Sequence, residues 1–130
     1  KVKNKKLLEK NLLKKLLSNN INLICLAGFM KILSGNFIKN FAKPILNIHP
    51  SLLPKYKGLN THKRVIENKE KYSGSTVHLV NAKLDSGKII LQKQIKVSKK
   101  ESEKSLEKKI LKIEHKLYPK AIKKFLNSNL

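Results

Sequence analysis

Two polar side chains interrupt an apolar stretch at residues 45–49, which read ILNIH. Asn47 and His49 are two residues apart, and alternate side chains of a β-strand point to the same face, so both would point to one side of a strand. An amide N–H beside an imidazole can hold a carbonyl oxygen and stabilise the negative charge that develops when a nucleophile attacks the carbon. A polar pair satisfied by nearby loop backbone is the alternative, and the pair alone leaves both interpretations open.

Asp85 is the candidate for a third catalytic group. It lies in KLDSGK (83–88), where Asp and Gly are also favoured simply because they form turns. A carboxylate near His49 would orient the imidazole and favour its protonated form, which would keep a general acid available. Asp-x-Gly alone is typical of a turn, so a catalytic role requires a fold that brings Asp85 to His49.

Hydrophobic spacing predicts the elements that would position these residues. Leucines from Lys5 to Ser18 recur at helical intervals and predict an amphipathic helix. Further helices are predicted at 34–41, 60–68 and 102–126, the last with a buried stripe of Leu106, Ile110, Ile113, Leu117, Ile122 and Phe125. Buried strands are predicted at 21–28 and 45–49, and a close strand pair at 74–80 and 88–97. This order indicates an α/β fold with a mostly parallel sheet and a late antiparallel strand pair.

The predicted sheet also suggests where a ligand would bind. Ligands of parallel α/β sheets bind beyond the carboxyl ends of the strands. Asn47 and His49 end the second predicted strand, and Pro50 then terminates it. Both side chains are therefore expected at the ligand-binding edge of the sheet.

The formal net charge of +22 suggests an anionic partner, but the distribution of the charge weakens that interpretation. Arg64 is the only arginine among 30 basic residues, whereas readers of bases and phosphates rely on bidentate arginines. The lysines are spread along the whole chain, and Phe and Tyr together number seven. Nucleic-acid binding is therefore disfavoured, and a biased amino-acid composition explains the lysines better.

Other sequence features restrict the class of protein. At 130 residues and 40% apolar content, the chain can form one domain with one core. It has neither an apolar run of membrane-spanning length nor a secretory signal, so no membrane partner is expected. Cys25 is the only cysteine, which is consistent with a cytoplasmic location. The four histidines lack the spacing of a metal site, so no metal is expected.

Several motifs together resemble one known family. NIHPSLLPKYKG (47–58) followed by GSTVHLVNAKLDSGKIILQ (74–92) resembles the folate-dependent formyltransferases, and LAGFMKILS (26–34) and EHKLYP (114–119) add to the likeness. The likeness is strongest to the phosphoribosylglycinamide formyltransferase branch of that family, also called glycinamide ribonucleotide transformylase, and extends over nearly all 130 residues. It implies a Rossmann-like formyltransferase fold and a single catalytic domain over 1–130.

The resemblance implies an activity and catalytic roles. A formyl group would pass from 10-formyltetrahydrofolate, a co-substrate, to the amine of 5-phosphoribosylglycinamide in de novo purine (IMP) biosynthesis, without a metal. Asn47 would bind the formyl oxygen, and His49 would act as general acid and stabilise the oxyanion. Asp85 would hold His49 and help pass the amine proton away through water.

The resemblance also implies binding residues. The residues expected to contact the formyl-folate are Lys5, Met30, Lys31, Ile32, Leu33 and Asn47. Glu114 would contact the glycinamide end of the acceptor. Met30, Ile32 and Leu33 could equally belong to the core.

The remaining histidines carry weaker expectations. For His78, on a predicted strand face, a structural role and a site role remain equally open. His62 and His115 are predicted to be surface or packing residues.

The sequence departs from the family pattern at a few positions. Lys57 stands where the family often has proline, Asn60 where it often has histidine, and Lys31 where it often has arginine. The family also begins with a strand and a Gly-Ser-Asn loop that binds phosphate at a helix N-terminus, and no such segment precedes Lys1. We therefore expect an N-terminally truncated domain with exposed apolar edges, which could be inactive alone.

Three alternative functions and one question of assembly are weighed against this interpretation. A methionyl-tRNA formyltransferase would share Asn47, His49 and Asp85, but GLNTHKRVIEN (58–68) is more similar to the glycinamide branch. Formyltetrahydrofolate deformylase is a further relative. A basic nucleic-acid-binding module is disfavoured by the few aromatic residues and the single arginine. The expected partners are small molecules, and a homodimer stays open.

Overall fold

The computed structural model describes residues 2–29 and 31–128. The elements in this part of the chain are α1 (Val2–Ser18), β1 (Ile24–Leu26), α2 (Gly35–Phe41), β2 (Ile45–His49), α3 (Thr61–Glu67), β3 (Tyr72–Leu79), β4 (Ile89–Lys96) and α4 (Glu103–Ser128). The α/β class and the four predicted helices are confirmed. None of the described helices is both long enough and apolar enough to cross a membrane.

The four strands form a mixed sheet in the order β1-β2-β3-β4. β1 pairs with β2 in parallel, whereas the β2–β3 and β3–β4 pairs are antiparallel. The predicted late antiparallel pair is confirmed, but the expectation of a mostly parallel sheet is wrong for the described strands. The connection through α3 brings the start of β3 to the end of the sheet where β2 stops, so the two strands run in opposite directions.

The core lies on both faces of this sheet. On one face, α4 packs with Leu46, Ile48 and Val77. On the other, Ile45 packs with residues of α2 and the segment before it: Leu33, Phe37 and Phe41. Strand side chains alternate, so Asn47 and His49 lie on the Ile45 face, nearer the strand end. Each fully buried aliphatic or Phe side chain contributes about 1.5–3 kcal/mol to folding.

The cap predicted for α2 is confirmed, and the buried stripe predicted for α4 is confirmed in part. Ser34 caps α2, where its Oγ accepts a hydrogen bond from the Phe37 N–H at 3.1 Å. The buried residues of α4 are Leu106, Ile110, Leu117, Ala121 and Phe125. Ile113 and Ile122, predicted in the buried stripe, are only partly buried against the core, whereas Ala121, which the predicted stripe omitted, is fully buried.

The strand predicted at 21–28 is shorter and less buried than expected. Only Ile24–Leu26 form β1, which lies at an edge of the described sheet, and Cys25 is exposed. Large apolar side chains nearby are also exposed, including Leu7, Leu8, Leu12, Phe29 and Ile32. These side chains belong to α1 and to the segment after β1, so the exposed sheet edges that a truncation would leave stay an expectation.

Candidate functional site

The carboxyl end of β2 positions Asn47 and His49. His49 is 6% exposed and is followed by Pro50, where the strand ends. Asn47 is half-buried. The antiparallel register places Asn47 opposite His78 of β3. Within β2, Asn47 and His49 point to the same side of the sheet, as their two-residue spacing predicts.

Asp85 reaches this strand end from the loop between β3 and β4. Its backbone has φ of +47°, a left-handed conformation that Asp tolerates better than most residues. One carboxylate oxygen, Oδ2, accepts a hydrogen bond from the Gly58 N–H at 2.8 Å and lies 3.5 Å from His49 Nδ1. The fold thus brings together Asn47, His49 and Asp85, the three residues predicted to be catalytic.

Both ring nitrogens of His49 face hydrogen-bond acceptors. Nε2 donates to the Tyr56 carbonyl oxygen at 2.8 Å, and Nδ1 faces the Asp85 carboxylate. A neutral imidazole has one N–H and can satisfy only one of these acceptors, whereas the imidazolium donates to both. The imidazole therefore lies between a backbone carbonyl oxygen and the Asp85 carboxylate, a group that can exchange a proton with it.

His78 holds the Asn47 amide in place. Its Nδ1 donates to the Leu79 carbonyl oxygen at 2.9 Å, so in the neutral ring Nε2 is an acceptor, 3.3 Å from Asn47 Nδ2. Burial lowers the pKa of His78, against opposing contributions from the Leu79 carbonyl and Asp85, and so favours the neutral ring. His78 is the one side-chain partner of the Asn47 amide in the described part of the chain. Asn47 therefore keeps its second N–H and its carbonyl oxygen for a ligand.

These residues line a cleft of about 440 Å³. Of the predicted site, the cleft walls include Lys31, Ile32, Asn47, His49, Asp85 and Glu114. His62, Glu103 and Glu107 also line it. Most of the residues predicted to be functional therefore face one connected space.

A smaller cavity of about 60 Å³ adjoins the cleft and shares Asn47 and Asp85 with it. Its walls include Leu33 and His78, together with Lys31 and Ile32, which also line the cleft. Three of the four residues in the predicted folate-binding segment 30–33 therefore border this cavity. Met30 lies outside the described residues.

Lys5 is the predicted site residue that the structure does not bring to the cleft. It lines a separate groove between α1 and α2, with Glu9 and Ser34. There Glu9 accepts hydrogen bonds from the Ser34 N–H at 2.9 Å and from the Ser34 hydroxyl at 2.6 Å. In the described structure, the positive charge of Lys5 acts on the Glu9 carboxylate.

The far wall of the cleft is acidic and comes from α4. Burial raises the pKa of the Glu114 carboxyl, against the opposing charge of His115. Burial lowers the pKa of His62, although the carboxylates of Glu107 and Glu103 act in the opposite direction. His62 Nδ1 is buried without a hydrogen-bond partner among the described residues.

Sequence reasoning missed the position of His62, for which a surface or packing role was expected. The available signal was its place at the start of α3, directly after the loop that leaves β2. That loop must return to the strand end, which brings the first turn of α3 to the cleft. His115, in contrast, is exposed on α4, in agreement with the prediction.

No group of three or more His, Cys, Asp or Glu residues suited to a metal ion occurs in the part of the chain that the structure describes. The cleft itself offers hydrogen-bond donors and acceptors. These are an amide, an imidazole beside a carboxylate, and a wall of carboxylates. Such a set can hold a carbonyl oxygen and attract an amine.

Residues 1–122 match the family described as formyl transferase. The chain is similar to phosphoribosylglycinamide formyltransferase of Haemophilus influenzae, 46% identical over 110 residues, which cover 85% of this chain and 52% of that protein. The enzyme of the same name from Escherichia coli is 43% identical over 109 residues, covering 84% and 51%. The crystal structure of phosphoribosylglycinamide formyltransferase from Bacillus halodurans matches with a TM-score of 0.88 and 32% identity, over 94% of this chain and 63% of that one. The chain spans about half the length of the enzymes from Haemophilus influenzae and Escherichia coli.

Proposed function

The chain belongs to the formyl transferase family, and from that premise we propose that it transfers the formyl group of 10-formyltetrahydrofolate to the amine of 5-phosphoribosylglycinamide, in purine biosynthesis. The observation that carries this proposal is the convergence of Asn47, His49 and Asp85 at one cleft that also reaches Glu114. The names of the similar enzymes from Haemophilus influenzae and Escherichia coli support this choice of acceptor.

The proposed reaction exchanges one carbon–nitrogen bond for another. The acceptor amine forms a bond to the formyl carbon and loses one proton, while the bond from that carbon to the donor nitrogen breaks and the donor nitrogen gains one proton. The charge is balanced, so the reaction needs neither an oxidant nor a reductant. The site must stabilise the negative charge on the formyl oxygen and move one proton.

Asn47 and His49 divide the first of these tasks. The Asn47 amide has a free N–H beyond the one directed at His78, and it can donate that N–H to the formyl oxygen. His49 in its protonated form supplies a positive charge at the same strand end. Removal of one such donor typically costs about 10²–10³ in kcat.

Asp85 serves the second task. Its carboxylate lies 3.5 Å from His49 Nδ1 and is fixed by the Gly58 N–H. It can therefore keep the imidazole oriented, and it can accept, through water, the proton that the amine loses. Positioning of this kind is a major part of catalysis when no covalent intermediate forms.

The two spaces beside the catalytic residues suit two substrates. The small cavity next to Lys31, Ile32 and Leu33 would receive part of the folate, whose polar ring edges would pair with backbone groups there. The exposed Phe29 and Ile32 side chains offer apolar contact for the same molecule. The acidic wall of the cleft, including Glu114, would receive the amine end of the acceptor.

A direct assay with two acceptors tests the proposal. The full chain is supplied with 10-formyltetrahydrofolate and either 5-phosphoribosylglycinamide or methionyl-tRNA, and formylated product is measured. We expect product only with 5-phosphoribosylglycinamide, and a fall in kcat of about 10²–10⁴ in a His49→Ala variant. Binding of a non-reactive folate by that variant, within a few-fold of the parent, would show that the loss is catalytic. Turnover with methionyl-tRNA alone, or unchanged turnover in His49→Ala, would contradict the proposal.

A further inference from the structure

Three consecutive residues, Tyr56 to Gly58, contact both members of the proposed His49–Asp85 pair. The Tyr56 carbonyl oxygen accepts the His49 Nε2–H at 2.8 Å, and the Gly58 N–H donates to Asp85 Oδ2 at 2.8 Å. The same segment therefore contacts the imidazole and the carboxylate at once.

The backbone of this segment adopts an unfavourable conformation. Tyr56 has φ of +56° and Gly58 has φ of +84°, both in the left-handed region. Glycine enters this region freely, but a tyrosine does so at a cost, and such a conformation persists only where surrounding contacts hold it. The contacts that hold Tyr56 are therefore also the contacts that hold the His49 acceptor.

Arg64 of α3 supplies two contacts to this segment, beside the packing of Tyr56 against Val65, Leu106 and Ile110. Its guanidinium carbon lies 5.4 Å from the centroid of the Tyr56 ring, and its Nη2 donates to the Lys57 carbonyl oxygen at 2.6 Å. Glu70 adds a contact on the other side, where Oε2 accepts a hydrogen bond from the Tyr56 hydroxyl at 2.9 Å. The segment is thus held at the ring face, at the ring end and at the following carbonyl.

A planar guanidinium is suited to this position in a way that an ammonium group is not. It can stack on an aromatic ring while an N–H in its plane donates to a neighbouring carbonyl. Arg64 is the only arginine in the chain, and every other basic residue is lysine. The one arginine of the chain therefore lies at the position where a planar guanidinium contacts the Tyr56–Gly58 segment.

We propose that Arg64 is a positioning residue: it holds Tyr56–Gly58 so that the Tyr56 carbonyl fixes His49 and the Gly58 N–H fixes Asp85. This inference rests on the proposed formyl transfer, in which His49 and Asp85 are catalytic. Arg64 itself lies behind the segment and acts through it. The side chain of Lys57 adds a further link, because its Nζ donates to Ser86 Oγ at 2.9 Å, next to Asp85.

Nuclear magnetic resonance of histidine side chains tests the positioning directly. In the full chain labelled with ¹⁵N-histidine, the His49 signals are assigned with the His49→Ala variant, and the Nε2–H signal is recorded. We expect the signal of this proton to be observed in the parent chain and to broaden or disappear in Arg64→Met. Methionine has a side chain of similar length but lacks the guanidinium group. Lys63→Met is the matched control, since Lys63 is the exposed neighbour on the same helix.

Kinetics supply the second readout. Arg64→Met should lower kcat about tenfold and leave the KM for the folate nearly unchanged, because a misplaced catalytic group weakens the reaction and not the binding of the donor. Arg64→Lys should restore only part of the loss, and Lys63→Met should behave like the parent. If Arg64→Met does not fold, Tyr56→Phe removes only the hydroxyl bond to Glu70 and should shift both readouts in the same direction by a smaller factor.

The two proposals fail in different ways. An Nε2–H signal that persists unchanged in Arg64→Met and Tyr56→Phe would overturn the role of Arg64, whatever the activity. A signal that depends on Arg64 in a chain that forms no formylated product would uphold the positioning of His49 and would contradict only the proposed function.

Discussion

Helix α4 separates two regions of opposite charge. On one side, Glu103, Glu107 and Glu114 face the cleft. On the other, Lys112, Lys116 and Lys120 border a groove of about 390 Å³, together with Lys93 of β4. Residues four apart lie on one stripe of a helix, so each charge sign follows its own face.

The difference shows that net charge does not describe the site. The chain carries 22 more basic than acidic residues, yet four of its eight acidic residues, Asp85, Glu103, Glu107 and Glu114, line one cleft. The lysine groove has a partly apolar floor and no acidic residue in its lining. A ligand near His49 therefore meets negative charge in a protein that is strongly positive as a whole, which favours an amine over a polyanion at that cleft wall.

The largest effect is expected from Asp85→Asn. Asparagine keeps the shape of aspartate and an oxygen that can accept the Gly58 N–H. It removes the negative charge that faces His49 Nδ1. We expect kcat to fall by about 10²–10⁴, measured as product formed at saturating substrates. Circular dichroism should show an unchanged fold. A kcat within a few-fold of the parent would mean that the cleft is not the reacting region.

Glu114→Gln should have opposite effects on function and stability. Loss of the carboxylate should raise the KM for the amine acceptor about tenfold, since one charged contact is lost. Burial raises the pKa of Glu114, so the folded chain holds this proton more tightly than the unfolded chain.

The sign of the stability effect follows from that pKa. The stabilising contribution of protonated Glu114 is complete below its unfolded pKa and is lost as pH rises through the higher folded pKa. At neutral pH the parent therefore carries the cost of a buried carboxylate, which glutamine removes. We expect a higher thermal midpoint for Glu114→Gln at pH 7 and little difference at pH 4. A lower midpoint at pH 7 would contradict this account of the acidic wall.

His78→Gln tests the neutral histidine behind Asn47. Burial lowers the pKa of His78, so below the ordinary histidine value of about 6.5 the unfolded chain takes up a proton that the folded chain resists. Stability contributed by neutral His78 is present above that value and is lost as pH falls toward the lower folded pKa.

Urea unfolding at pH 7.5 and pH 5.5 measures this effect. Glutamine keeps an acceptor for the Asn47 amide but does not titrate, so the variant should lose less stability between the two pH values than the parent. The part of the pH dependence that remains should include His62, whose pKa burial also lowers. An identical pH dependence in both chains would show that His78 is not held neutral.

The smallest effect is expected from the lysine groove. Replacement of Lys112, Lys116 and Lys120 by Gln together should leave kcat within about twofold and change the free energy of unfolding by less than about 0.5 kcal/mol per substitution. Steady-state kinetics at two salt concentrations measure both the rate and any loss of long-range attraction. A fall in kcat comparable with that of Asp85→Asn would break the distinction between the two sides of α4.

Local sequence signals predicted much of the fold. The four helices and the paired late strands follow from hydrophobic periodicity and turn residues, and Ser34 was identifiable as a cap because its side chain can accept a hydrogen bond from a backbone N–H two or three residues on. Strand direction was not predictable in this way. A parallel and an antiparallel strand can share one apolar pattern, so the antiparallel entry of β3 was missed.

The candidate site, too, was predictable from the sequence only in part. By its own spacing the sequence determined that Asn47 and His49 share a strand face, since two residues span one full repeat of the pleat. Only the tertiary structure decided three further contacts. His78 lies opposite Asn47, the Gly58 N–H bonds to Asp85, and the Arg64 guanidinium stacks on the Tyr56 ring. Those contacts depend on loop paths and on the register between strands, which are set by packing of the whole chain and leave no periodic signal in the residues that make them.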